Sequence, residues 1–413
     1  MATRALETQE KRALAVLGLP TFVLALSITV VSTYLPVVAR EFTSSSAVIG
    51  VLIGGEGVAA LFLPVLVGVW SDRLKTSLGG RLPFLIGAMP VVAAALVIMG
   101  VVGSMAGLAI SVGIFFAAYF IAYEPYRALY PDLFDDEIAG RAQATQAIWR
   151  GLGTALALAG GGLLLSVARV LPFAVAAAIS LAGTGLFVGI AIRRGVRRRK
   201  RRSPQLREVV RRLVRLLRNR RPLRALLVAN ALWELSLAAL KTFVVLYITR
   251  GLGYGVSTAS LVIGGVALII LVAAGASGRL ADRYGRRRVM RVALIVYAVG
   301  LVIPFVTTNP ALIAPALPLI AFGGGVVMSL PYALLIPMMP PAGHGALTGL
   351  YSMSRGFGVV LGPVLGGLVI DALKGPLSST QGYSAMWLVC AAAVALSIPL
   401  LELTKGGEDE RRG

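Results

Sequence analysis

The chain of 413 residues has one cysteine and one histidine. Cys390 has no second cysteine to bridge to, and Cys390 with His344 cannot assemble a zinc site. Disulfide and metal chemistry are thereby excluded, and no metal is expected. Charge is scarce as well: charged residues make up 14% of the chain against 57% apolar, and mean hydropathy is +0.84. Ordinary soluble domains carry about 25% charged residues, so a water-covered surface is excluded. Acids are rarer still, 18 against 40 Lys and Arg, for a net charge of +22. A basic excess can mark a nucleic-acid binder, but here the positive charge lies in links between apolar runs, so no nucleic-acid partner is expected. No nucleotide-binding loop and no catalytic Cys/His pair occurs, which argues against an enzyme. Long apolar runs and glycine, 48 of 413, are plentiful, as in membrane-spanning helices.

Crossing ~30 Å of hydrocarbon takes about 20 apolar residues as helix. Such spans fall near 14–38, 47–70, 83–103, 106–130, 142–167 and 170–192, then near 225–249, 256–278, 289–307, 311–336, 347–373 and 383–403. The fold class is all-α and integral to the membrane, with twelve spans in two six-helix bundles. The bundles occupy 1–192 and 225–413, joined by a basic linker at 193–224. The first span is too long for a signal-peptide core and shows no cleavage site, so it belongs to the mature protein. Very short links at spans three–four and nine–ten predict tight hairpins.

Basic residues orient the chain. With both termini cytoplasmic, the inner links hold 32 of the 40 basic residues and the outer ones only Arg40, Arg169, Arg250 and Lys374. The linker reads as a basic amphipathic helix beginning at Ser203 and Pro204, with Leu206, Val209, Val210, Leu213, Val214 and Leu217 at helical spacing. Such a helix lies on an anionic inner leaflet, making the bilayer its expected partner; docking of a regulatory partner is the alternative. The cell membrane is the expected location and a monomer the expected state.

An internal repeat relates the two halves. Gly68, Asp72 and Arg73 return as Gly278, Asp282 and Arg283, an offset of 210; Pro125 and Tyr126 return as Pro331 and Tyr332, an offset of 206. Arg150, Gly151 and Gly153 return as Arg355, Gly356 and Gly358, an offset of 205. Parallel six-span repeats imply a two-fold axis along the membrane normal, with the substrate site near mid-membrane.

The run from Gly278 through Asp282, Arg283 and Gly285 to Arg286 and Arg287 resembles the signature loop of the major facilitator superfamily. The resemblance implies alternating-access transport. It also implies a cytoplasmic gate built from Asp72, Arg73, Arg81, Asp282, Arg283, Arg286 and Arg287. The segment Ser71–Phe84 and the run Pro125–Asp132 are similar to the glycoside–pentoside–hexuronide symporters and the related sucrose transporters, implying a sugar or other polar solute. Arg150 and Arg355 resemble positions where the melibiose-type branch places cations facing sugar. Departures bear on coupling: that branch's paired acids on span two fall on Ala60 and Pro64, its helix-four acid falls on Tyr123, and the first span holds no acid. This disfavours sodium and leaves a proton gradient as the driving force, with no bound cofactor.

Seven ionisable residues lie away from the span ends: Glu56, Glu124, Arg127, Arg150, Glu234, Lys241 and Arg355. Each would cost about 2.5–3.5 kcal/mol at the bilayer centre, so they should face a wet cavity or one another. Arg150 and Arg355 both lie about 12 Å above the cytoplasmic helix ends at ~1.5 Å per residue. They are expected to face each other and to contact substrate together with Arg127, whose repeat counterpart is Ala333. Tyr126 and Tyr332 complete the substrate set. Glu56, Glu124 and Glu234 are the expected proton carriers, Glu56 standing alone among Gly54, Gly55 and Gly57. Plainer roles compete: Glu124 and Arg127 could neutralise each other, Glu234 and Lys241, two turns apart on one face, could form a structural pair or a cross-bundle contact, and the two repeat arginines could serve the scaffold. The expected function is proton-coupled movement of a small polar solute, best a sugar or glycoside. The alternatives are export of drugs or organic anions, a non-transporting sensor and a membrane-embedded lipid enzyme.

Overall fold

The computed structural model describes residues 8–74, 76, 78, 81–133, 136–194, 220–338 and 344–404. Twelve long helices are present among them: α1 (Thr8–Ala39), α2 (Ser46–Arg73), α3 (Leu82–Val101), α4 (Met105–Leu133), α5 (Asp136–Val167), α6 (Leu171–Arg194), α7 (Arg221–Leu246), α8 (Val256–Tyr284), α9 (Arg286–Val306), α10 (Ala316–Ser329), α11 (His344–Ala372) and α12 (Ala385–Glu402). Short turns at Pro310–Ile313 and Pro331–Leu335 flank α10. Each expected span coincides with a helix long and apolar enough to cross a membrane. No strand occurs among the described residues. The expected amphipathic linker helix lies outside the described residues.

Two compact units are formed, Met1–Phe42 with Phe62–Ser203, and Thr43–Leu61 with Pro204–Gly413. In the first unit α1 packs on α5 and α6, and α3 on α4 and α6; in the second α7 packs on α11 and α12, and α9 on α10 and α12. Adding six to each number of the first set gives the second, so the sequence repeat is a repeat of packing. Helix α2 departs from the sequence boundaries: its first half, through Leu61, groups with the second unit, and its remainder with the first.

Glycines set how closely the helices approach. A Cβ on Gly153 would lie 2.3 Å from the Phe22 carbonyl oxygen on α1, and one on the repeat-equivalent Gly358 would lie 2.4 Å from the Ala231 oxygen on α7. Neither backbone oxygen can step aside. We therefore expect Gly153→Val and Gly358→Val each to cost about 1–3 kcal/mol by overpacking, read as a lower melting temperature in detergent. Gly160→Ala, which meets nothing within 4 Å, should leave that temperature unchanged or slightly higher. Gly285, the single residue between α8 and α9, has φ +88°, a conformation that only glycine adopts at little cost.

Candidate substrate and coupling sites

In the first unit, α4 carries Phe115, Tyr119, Tyr123 and Arg127 at four-residue intervals, which places them on one helix face. Tyr119 and Tyr123 stack with centroids 5.5 Å apart, and Phe115 lies 5.9 Å from Tyr119. The Arg127 and Arg150 guanidinium carbons each lie 5.7 Å from the Tyr123 ring centroid, within cation–π range. Arg150, arriving from α5, donates to the Tyr123 hydroxyl at 2.7 Å. Arg127 and Glu124 are 3.9 Å apart, a loose pair, and Glu124 lies within electrostatic reach of both arginines. The close approach of α5 to α1 at Gly153 fixes the height at which Arg150 leaves its helix. Two guanidinium groups and a tyrosine thus converge on a half-buried cluster holding one carboxylate.

The second unit places the equivalent arginine differently. Arg355 on α11 forms an ion pair with Glu234 on α7, Nε to Oε1 3.1 Å, the carboxylate side chain 17% exposed and the arginine 52%. Beside it, the Asn230 amide donates to the Ser354 hydroxyl at 2.8 Å. Tyr351, one turn before Arg355, meets Tyr332 edge to face at 5.6 Å, and the Tyr332 and Thr348 hydroxyls are 3.4 Å apart. Glu234 therefore pairs across to α11 and not along its own helix with Lys241.

Several expected site residues need relocation. Tyr126 is not available to substrate: it is 1% exposed, bonded to the Thr21 hydroxyl at 2.6 Å and donating to the Leu17 carbonyl of α1. Its repeat partner Tyr332 is 41% exposed. Glu56 is half-buried on the first half of α2, which groups with the second unit, whereas Glu124 and Arg127 belong to the first. Of the expected gate, Asp282 and Arg283 are exposed at the end of α8, with the Arg283 guanidinium 5.3 Å from the Tyr284 ring. Arg286 donates to the Ala333 carbonyl at 3.0 Å and Arg287 to the Thr404 carbonyl at 2.5 Å. These two arginines thus satisfy carbonyls inside the second unit, Arg287 at the end of α12. Arg81 is half-buried and immediately precedes α3, whereas the side chains of Asp72 and Arg73, in the last turn of α2, lie outside the described part. Tyr123 and Tyr351 are the residues that sequence reasoning did not single out; the spacing of Phe115, Tyr119 and Tyr123 was the available signal for the first.

The profile of the Major Facilitator Superfamily matches residues 17–259 and again 226–412. The chain belongs to the Major Facilitator Superfamily. With twelve helices long and apolar enough to cross a membrane, it is a multi-pass membrane protein. Among curated members, multidrug resistance protein 3 of Bacillus subtilis (strain 168) is 30% identical over 99 residues, 24% of this chain and 19% of that one. The arabinose-proton symporter of the same organism is 30% identical over 105 residues, 25% of this chain and 22% of that one. The probable actinorhodin transporter of Streptomyces coelicolor (strain ATCC BAA-471 / A3(2) / M145) is 30% identical over 121 residues, 29% and 21% of the two chains. The chain spans only about a fifth of the length of these members. Among solved structures, a bacterial homolog of the human lysosomal transporter Spinster, inward-facing and occupied, superposes with TM-score 0.78 at 14% identity over 98% of both chains. The nucleoside transporter NupG superposes with TM-score 0.73 at 17% identity, over 96% of this chain and 99% of that one. These likenesses show the fold.

Proposed function

We propose that this superfamily member moves a small polar solute, best a sugar or glycoside, by alternating access driven by a proton gradient. The observation that carries the reading is the Glu234–Arg355 pair at 3.1 Å within two membrane-spanning helices. Protonating Glu234 cancels its charge and loosens its hold on the half-exposed Arg355, which links a proton to a polar solute. Arg150, held by Tyr123, and Arg127 supply further fixed donors, and the tyrosine ring offers a stacking face of the kind sugars use. The similarity of Ser71–Phe84 and Pro125–Asp132 to sugar–cation symporters and the matching stretch of the arabinose-proton symporter both favour this class. Glu56 and Glu124 remain candidate carriers of the proton, and Asp72 and Asp282 candidate elements of a cytoplasmic gate. The basic excess of the inner links supports a cell-membrane protein with both termini in the cytoplasm, against an anionic inner leaflet; a monomer is the proposed state.

Export of an organic anion or drug is the second reading. It draws on two guanidinium groups around one carboxylate in the first unit, on the aromatic column behind them, and on the multidrug and actinorhodin relatives. A thermal-shift screen of purified protein separates the two, because a ligand at 100 times its Kd stabilises by about 2.7 kcal/mol. The expected result is a raised melting temperature with a mono- or disaccharide, followed by proton-dependent counterflow of that sugar in proteoliposomes. Shifts confined to aromatic anions or cationic drugs would replace the sugar reading with the exporter.

A further inference from the structure

One buried polar atom beside the Glu234–Arg355 pair has no donor. The Asn230 side chain is 1% exposed, and its Oδ1 meets no hydrogen-bond donor among the described residues. The orientation of that amide follows from its neighbour. The Ser354 hydroxyl donates its only hydrogen to the Tyr351 carbonyl at 2.8 Å, so towards Asn230 it can only accept. Nδ2 must therefore face Ser354, at 2.8 Å, which leaves Oδ1 on the other side. Glu234 stands one turn further along α7. Helical side chains lean towards the N-terminus of their helix, so the Glu234 carboxylate lies over the turn that holds Asn230. Amide and carboxyl side chains four residues apart on a helix are within hydrogen-bonding reach. In its ionised state the carboxylate has nothing to donate, and it accepts from Arg355 Nε at 3.1 Å.

We propose that Asn230 receives the proton-loaded form of Glu234: the neutral acid turns its new O–H to Asn230 Oδ1. Taking one proton from water converts the carboxylate to a carboxylic acid, with one O–H to place and no other bond changed. Arginine is a donor only, so that hydrogen cannot point at the Arg355 guanidinium. A buried O–H without an acceptor is costly, and Asn230 offers an acceptor that the ionised state leaves idle. The bond favours the loaded state and draws the carboxyl away from Arg355. Of the titratable groups on helices packed against α7, Arg355 and Tyr351 of α11 face Glu234, with Tyr332 beyond Tyr351. On α12, Cys390 turns its thiol to the Ser236 carbonyl, and Lys241 stands two turns along α7 itself. The Tyr351 hydroxyl is therefore the rival acceptor. Asn230 acts here as a positioning residue, and the inference rests on Glu234 as a proton carrier.

Infrared difference spectra of the full-length protein in proteoliposomes, taken between high and low pH, provide the test. Protonated Glu234 gives a carboxylic carbonyl band, assigned by its loss in Glu234→Gln. In Asn230→Leu that band should move to higher frequency, as a carboxyl deprived of its hydrogen bond does. The pH at which it is half-grown should fall by about one unit, since loss of the bond weakens protonation about tenfold. Ser354→Ala removes the tie to α11 but keeps the acceptor, so it should lower the melting temperature and leave the band in place. Tyr351→Phe should also leave it in place. An unmoved band in Asn230→Leu, an equal shift in Ser354→Ala, or a shift in Tyr351→Phe alone overturns the proposal. Should Asn230→Leu not fold, the wild-type band decides: the frequency of a hydrogen-bonded acid supports Asn230, and that of an unbonded acid overturns it. If Glu234→Gln removes no band at all, the carrier reading itself fails, which keeps the two failures apart.

Discussion

Glu234→Gln is expected to abolish uphill accumulation of substrate in proteoliposomes under an imposed proton gradient, while equilibrium exchange of that substrate continues. Gln keeps the size of the side chain and an acceptor oxygen for Arg355, but it can neither bind nor release a proton. Because the Arg355 side chain is 52% exposed, water can solvate the guanidinium once its partner is neutral. The stability cost should therefore stay near the ~1 kcal/mol of a surface pair, well short of the cost of stranding a buried charge. The accumulation ratio should fall at least tenfold toward unity with little change in melting temperature. Accumulation that survives Glu234→Gln but is lost in Glu56→Gln or Glu124→Gln would move the coupling site to those acids.

The second large effect is expected at the Arg150–Tyr123 contact. Arg150→Gln removes a fixed fork of donors and should weaken ligand binding about 100-fold, as loss of a charge-assisted pair does. Tyr123→Phe keeps the ring under both guanidinium groups but deletes the hydroxyl that receives Arg150 at 2.7 Å. It should weaken binding about tenfold, since the arginine stays but loses its orientation. Ligand titration by thermal shift measures both, and the ligand-free melting temperature separates binding from scaffold. A scaffold role predicts the reverse pattern: a lower ligand-free melting temperature with unchanged affinity in the molecules that fold.

The spans were legible in the sequence because lipid allows few solutions. A backbone with no water to bond must close its hydrogen bonds within each helix, and about twenty apolar residues are needed each time. The repeat was legible for the same reason, and it located Gly153 and Gly358 at matching helix contacts. It misled at Tyr126 and Tyr332, where equal sequence positions conceal unequal neighbours: Thr21 and Leu17 capture the first hydroxyl, whereas Tyr332 stays exposed beside Tyr351. The pairing of Glu234 with Arg355 was only half legible, because it depends on which faces of α7 and α11 meet. Spacing along α7 offered Lys241 or a contact across the bundle and could not choose between them. Asp371 drew no notice in the sequence, since a lone acid at the end of an apolar run looks like a solvated terminus until the helix it caps is in view.

The order of synthesis gives a consequence during biogenesis to the contact of α2 with α11, where Asp371 accepts from the Ser46 and Ala47 N–H groups. Asp371 leaves the ribosome 325 residues after Ser46, an interval of roughly 15–65 s at about 5–20 residues per second. Throughout that wait the first N–H groups of α2 are without the carboxylate that receives them in the finished protein. A nascent chain stalled before the eleventh helix would hold every element of the first unit and still leave the first half of its second helix without the surface it is shaped to meet.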